Sequence, residues 1–335
     1  MPAPISYRPR TLLAYLLLCS LGWFSPFLAQ AGVTCTASAS DVNFPDVKPW
    51  QATPAQMGSI TVRCKSDVRD FAVQKVNVCL AIGTGAGSSS WDPRQMVQSV
   101  GSARLDYQIY KADGSFFGSP YQPTPAQIRD VIVPRNGNST APIVVNMQVV
   151  LPAQASSAIP PGQYMGNYSG NGTLMAVSAP VSERATPSDC SDDKNNAGIF
   201  PFAVTATIPK FCALVPIDNM VFENVAGFGD TERNAGTSIG VRCTHTTAYS
   251  VSLTPSNGNA AGKGALKLVG SSDTVAYSLF RDAARTVPWG NTSGNAVSST
   301  GNGTIQRFSV HGQVPANLDA TPGDYRDSVQ VTVTY

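Results

Sequence analysis

The feature that most constrains this chain is a duplication. Cys35 and Cys64 lie 29 residues apart, and Cys212 and Cys243 lie 31 apart. The second cysteine of each pair ends a matching run, Ile60-Thr61-Val62-Arg63-Cys64 against Ile239-Gly240-Val241-Arg242-Cys243. Leu105-Asp106-Tyr107-Gln108-Ile109-Tyr110 answers Val275-Ala276-Tyr277-Ser278-Leu279-Phe280. Further on, Leu151-Pro152-Ala153-Gln154 answers Val314-Pro315-Ala316-Asn317, and Pro161-Gly162-Gln163-Tyr164 answers Pro322-Gly323-Asp324-Tyr325. Order and spacing hold throughout, so the chain is two copies of one unit. Whatever fold one copy takes, the other must share.

Each copy reads as a set of short strands. In the first they are Ile60–Cys64, Val76–Leu80, Leu105–Tyr110 and Ile143–Leu151; in the second, Ile239–Cys243, Tyr249–Leu253, Val275–Phe280 and Ile305–Val314. Apolar alternation is common in the chain and helical periodicity is scarce. Asn136-Gly137, Asn257-Gly258 and Asn302-Gly303 supply turns between the strands. The expectation is an all-β chain of two tandem immunoglobulin-like β-sandwich domains.

The first residues read as an export signal to be cleaved, spanning 1–31. Arg8 and Arg10 precede the apolar run Leu12 to Leu18, and Ala29-Gln30-Ala31 is a small-x-small cleavage site. The mature chain then begins at Gly32, and the protein is expected to be secreted. Charged residues make up 13% of the chain and the net charge is +2, which gives no electrostatic case for a nucleic-acid partner. Past Cys19, six cysteines remain, an even number that in an exported chain implies disulfides. The repeat pairs Cys35 with Cys64 and Cys212 with Cys243, which leaves Cys79 for Cys190. That third bridge would tether the first copy's insertion, Ala176 to Ile199, to a core strand.

The copies differ at their ends. With Tyr164 laid on Tyr325, Leu174 becomes the partner of Tyr335, and the first copy runs on to Ile208. Its extension contains Phe202, Val204, Ala206 and Ile208 on one face of an alternating run, with Ala203, Thr205 and Thr207 on the other. That run is expected to close the first domain (32–208) in cis. The second domain (209–335) would lack its final strand and expose an unpaired edge along its terminal strand of Val329, Val331, Val333 and Tyr335. Cys35 follows Gly32 so closely that no spare strand is expected for donation to a neighbour.

The tandem copies, the early cysteine, the run Leu279-Phe280-Arg281-Asp282-Ala283-Ala284-Arg285-Thr286 with Pro288-Trp289-Gly290, and the ending Asp324-Tyr325-Arg326-Asp327-Ser328-Val329 resemble the spore-coat-U domain family. The resemblance is looser in the first copy, where Lys111-Ala112-Asp113-Gly114 stands for the Arg-Asp-Ala-Ala run. Such domains are the subunits of archaic chaperone–usher pili, and a two-domain member resembles the tip adhesin. The resemblance implies a periplasmic chaperone, an outer-membrane usher and a next pilin subunit as partners. It implies donor-strand complementation, in which another chain supplies the missing strand. It also implies a place at the pilus tip and attachment to a host or abiotic surface. A coat-like or adaptor subunit that recognises no receptor is the alternative.

Nothing in the sequence assembles into catalytic machinery. Gly83-Thr84-Gly85-Ala86-Gly87 has the wrong spacing for a dinucleotide loop, and Asn257-Gly258-Asn259-Ala260-Ala261-Gly262-Lys263 misses the phosphate-loop pattern. His245 and His311 stand in strand or turn contexts, and Asp192-Asp193 reads as a solvated loop. No enzymatic activity, cofactor or metal is expected. Binding chemistry would instead reside in loops of the first domain, where Trp50, Trp91, Phe116 and Phe117 are large apolar groups in Gly-, Ser- and Pro-rich surroundings.

Overall fold

A computed structural model describes residues 32–66, 73–118, 126–135, 137–154, 157–188, 196–223, 231–316 and 319–335. The expected signal segment, Asp192-Asp193 and Cys190 therefore lie outside the described residues. The first copy contains β1 (Val33–Ala39), β2 (Val42–Phe44), β3 (Thr53–Ser66), β4 (Gln74–Ile82), β5 (Arg94–Gln98), β6 (Arg104–Lys111) and β7 (Ala126–Val133). It continues with β8 (Ile143–Leu151), β9 (Gly162–Asn167), β10 (Thr173–Val177), β11 (Val181–Ser182), β12 (Asn196–Gly198) and β13 (Ala203–Ile208). The second copy contains β14 (Cys212–Val215), β15 (Arg233–Cys243), β16 (Ala248–Pro255), β17 (Lys263–Leu268) and β18 (Thr274–Phe280). It ends with β19 (Val297–Thr300), β20 (Ile305–Val314), β21 (Tyr325–Arg326) and β22 (Val329–Thr334).

The expected strands are all present, most of them longer than the apolar alternation alone marked. Each copy forms two sheets. In the first, one sheet runs β1-β3-β8-β6-β5-β9-β13-β2 and the other β11-β4-β10-β12, with β7 paired to β4. In the second, one sheet runs β14-β15-β20-β18-β17-β21 and the other β19-β16-β22. The two long sheets match strand for strand until β9 and β21. There the first copy adds β13 and β2 while the second stops, and this difference positions the candidate site.

The inner faces make two separate cores. One packs Phe44, Ile60, Val62, Leu80, Tyr107 and Met147 with residues of β13; the other packs Ile239, Val251, Leu253, Tyr277 and Val310 around Trp289. Trp289 is fully buried and its indole N–H donates to the Val251 carbonyl at 3.0 Å, as a buried indole requires. The Arg-Asp-Ala-Ala run builds the turn that presents it. Asp282 accepts the backbone N–H groups of Thr286 and Val287 at 3.1 and 2.8 Å, which holds its carboxyl below the usual carboxylate range.

Cys35 and Cys64 are cross-strand partners on β1 and β3, as are Cys212 and Cys243 on β14 and β15, and both pairs are bonded. Cys79, on β4, is disulfide-bonded too. Each copy also has a tyrosine corner, a tyrosine hydroxyl returning to a carbonyl four residues upstream. Tyr164 donates to Pro160 at 2.8 Å and Tyr325 to Thr321 at 2.7 Å. That corner is a hallmark of immunoglobulin-like sandwiches.

The pairing registers correct one correspondence. Met175 faces Leu80 as Val331 faces Leu253, so Tyr335 does not answer Leu174. The first copy carries extra residues between its tyrosine corner and β10, around a short 3-10 turn at Gly170–Gly172. They displaced the match read from sequence.

Candidate functional site

The open edge of the second copy is best understood from the closed edge of the first. β13 pairs antiparallel with β9, residue by residue from Ala203 opposite Asn167 to Ile208 opposite Gly162. On its other side it runs parallel to β2, with Val204, Thr205 and Ala206 opposite Val42, Asn43 and Phe44. The alternation fixes which side chains go in. Phe202, Val204, Ala206 and Ile208 are 5%, 0%, 0% and 1% exposed, while the intervening residues are half-buried on the outer face. Phe202 stacks on Tyr168 with ring centroids 4.6 Å apart, and the Asp41 carboxylate accepts the Ala203 N–H at 2.7 Å. Just upstream, β12 pairs with β10 through Met175–Gly198 and Ala176–Asn196. The segment 196–208 thus covers one edge of each sheet.

The second copy presents the same edge uncovered. β21 pairs with β17 through Lys267–Arg326 and Leu268–Tyr325, and β22 with β16. Among the described residues, no strand pairs with the outer side of either. Burial records the consequence. Met175 and Val177 on β10 are buried, whereas Val329, Val331 and Val333 on β22 are half-buried.

The segment matching β2 is Met220-Val221-Phe222, which lies outside any strand and leaves Val221 74% exposed. Met220 and Phe222 pack inward on the second core, the in-out-in pattern of Val42–Phe44 without the partner strand. Ile217, between β14 and Met220, is exposed too. Met220, Phe222, Val329, Val331 and Val333 are thus partly buried apolar side chains on the second core, and among the described residues no strand pairs over them at the outer sides of β21 and β22.

The chain just past β21 is polar at one point. Tyr277 donates its hydroxyl to Asp327 Oδ2 at 2.5 Å, and Asp327 Oδ1 accepts the Ser328 N–H at 2.8 Å. Burial, reinforced by the neighbouring carboxylate, raises the Tyr277 pKa far above the ordinary phenol value. Sequence reading passed over Asp327 as part of a terminal motif.

The aromatic candidates do not form one patch. Phe117 is fully buried in the first core, its backbone N–H donating to the Ile109 carbonyl at 3.0 Å, so it cannot touch a surface. Phe116 and Phe117 are sequence neighbours at a hairpin, and their side chains fall on opposite faces. Trp50 lies between the copies, 6.0 Å from Phe211 centroid to centroid and under the Arg242 guanidinium at 4.7 Å. Phe211 also meets Lys48 and Tyr335. Trp50, Ile159, Arg242 and His245 border a cavity of about 70 Å³ at that junction. Trp91 and Phe116 remain half-exposed.

Trp91 and the Phe116–Phe117 segment are gathered by Arg94, a fully buried cation that sequence reading missed. Its guanidinium donates to the carbonyls of Ile82, Gly83 and Phe117 and to Gln108, and lies 5.2 Å from the Trp91 ring. Burial lowers its pKa. Carbonyl oxygens are its hydrogen-bond partners, and Tyr168, Tyr107 and the Asp92 carboxylate add weaker electrostatic support.

The chain is thus a tandem of two immunoglobulin-like sandwiches, in which β13 pairs along the last strand of the first long sheet and, among the described residues, no strand pairs at the matching place in the second. The Spore Coat Protein U domain model matches residues 26–167 and 199–332, and the chain belongs to that family. It is 32% identical over 104 residues to Protein U of Myxococcus xanthus, a match covering 29% of this chain and 58% of that relative. The fold is similar to a solved chain described as the CsuC–CsuE chaperone–tip adhesion subunit pre-assembly complex of archaic chaperone-usher Csu pili of Acinetobacter baumannii. That match has a TM-score of 0.50 and 15% identity, and covers 90% of this chain and all of the other. A further similar structure is the CupB6 tip adhesin of Pseudomonas aeruginosa, at 11% identity and a TM-score of 0.36 over 91% of this chain and 96% of that one.

Proposed function

We propose that this chain is a non-enzymatic pilus tip adhesin that attaches cells to surfaces and supports biofilm formation. In this reading residues 32–208 are the adhesive domain, closed in cis by β12 and β13. Residues 209–335 are a pilin-type domain completed in trans by the N-terminal strand of the next subunit. The observation that carries the reading is the contrast between the edges: 196–208 covers β9 and β10, and among the described residues no strand covers the matching sides of β21 and β22. The structurally similar chain comes from a complex described as a chaperone with a tip adhesion subunit, which supports a periplasmic chaperone that holds the edge until assembly. An outer-membrane usher would then export the protein to the cell surface. The receptor-facing side is best sought around Trp91 and Phe116, since Trp50 and Phe117 are engaged internally. The test is a strain lacking this protein. It should still assemble pili from the remaining subunits but fail to attach; normal attachment by that strain refutes the adhesin role.

A further inference from the structure

The second copy's open edge carries a group that the first copy's closed edge cannot hold. Through the shared Pro-Gly-x-Tyr turn, Gly166 of the first copy corresponds to Asp327 of the second, and Tyr107 corresponds to Tyr277. Gly166 is the registered partner of Val204, and a Cβ at Gly166 would collide with the Tyr107 hydroxyl. The first copy answers that crowding with a bare backbone, and its Tyr107 hydroxyl is spent on Tyr168 at 2.5 Å. In the second copy the Tyr277 hydroxyl is spent on the Asp327 carboxylate, which points to the same inner face.

Directly paired residues of antiparallel strands stand with their Cβ atoms about 4.5–5.5 Å apart on one face. A strand seated on β21 in the register of β13 therefore lays the side chain at the Val204 position against Asp327. A valine there would bury a carboxylate against methyl groups, with lone pairs that Tyr277 and Ser328 do not fill. A hydroxyl, ammonium or guanidinium there would donate to it, in the strong charge-assisted class of hydrogen bond.

We propose that Asp327 is a specificity-determining residue of the acceptor edge. It selects an incoming strand that carries a hydrogen-bond donor, Lys, Arg, Ser or Thr, at the register of Val204, and it disfavours a strand of β13's own sequence. The inference rests on the strand-acceptor reading above. It accounts for how two homologous edges in one chain take different strands. A second copy's Phe202–Ile208 run, apolar at every inward position, is a poor occupant of this edge although its own domain is built around it.

The experiment extends the full chain after Tyr335 by a flexible Gly/Ser linker and a second copy of residues 196–208. The appended strand carries either Val or Lys at the position of Val204. Each version is made with Asp327 and with Asp327→Gly, the first copy's residue, and the thermal transition of the second copy is followed by calorimetry. With Asp327 in place, the Lys strand should melt higher than the Val strand by about 5 °C, the shift a domain of this size gives for one good interaction. With Asp327→Gly the order should reverse. A Val strand that stabilises the Asp327 protein at least as well as the Lys strand overturns the inference, as does an order that Asp327→Gly leaves unchanged. If no appended strand raises the second copy's transition in either background, the strand-acceptor reading itself falls and takes the inference with it.

Discussion

Phe116 and Phe117 differ by one position and by everything that matters for contact. Phe116 is half-exposed, whereas Phe117 is sealed in the core and its carbonyl holds the buried Arg94. Replacing Trp91 and Phe116 together with serine should therefore leave the circular dichroism and melting temperature close to the parent and reduce adhesion of whole cells several-fold. Adding Trp50→Ala should weaken the junction between the copies without a further loss of adhesion.

A second prediction concerns alkali. Burial pushes the Tyr164 hydroxyl up to about 12 from an ordinary value near 10. Because the folded value is the higher one, the stabilisation is fully present below about pH 10 and is lost as pH climbs towards about 12. The first copy's melting temperature should fall across that window, and less steeply in Tyr164→Phe. Equal slopes in the two proteins would mean that Tyr164 is not the group responsible.

At the scale of an element, β13 is the test case. It was readable from sequence because a half-buried strand repeats every two residues, and Phe202, Val204, Ala206 and Ile208 keep that period. Val204→Asp places a carboxylate at a fully buried position between β9 and β2. An uncompensated buried charge costs about 3–5 kcal/mol, a large share of a domain's roughly 5–15 kcal/mol. The first copy should lose its cooperative transition, measured by calorimetry on the full chain. The bare segment from Lys210 to Tyr335 should show the opposite weakness. It should aggregate alone and gain a cooperative transition when a complementing strand is supplied; a stable monomer with a high melting temperature would refute the acceptor role.

Other elements were less legible, for reasons of distance or register. The neighbour of Trp50 is Phe211, which sits in the other copy, and no local pattern announces a contact across a junction. The turn at Gly170–Gly172 inserted residues that a gapless match could not place. Asp327 was within reach, since laying Tyr164 on Tyr325 already set it against Gly166. What was missing was that Gly166 faces Val204, which is a fact of pairing and not of order.

Over the whole molecule, the cysteine spacing and the repeated strand runs were enough to give two sandwiches, because a duplicated pattern must satisfy the same period and turns twice. The disulfides of the first and last pairs lie where the repeat placed them. Non-reducing peptide mapping should recover both and join Cys79 to Cys190. A bridge running from one copy to the other would contradict the separation of the two cores.

The position of β13 has a mechanical consequence. Its last residue, Ile208, leads through Pro209 and Lys210 to Phe211 and Cys212, so the strand that closes the first copy is also its tether to the second. Tension applied through that tether, with the first copy held at its far end, pulls along the strand axis and across a ladder shared with β9 and β2. The ladder bonds then carry the load together, in shear, instead of parting one after another as they would if the strand were peeled. A single covalent run thus makes the joint between the copies a seam that is loaded in shear when it is pulled along the strand.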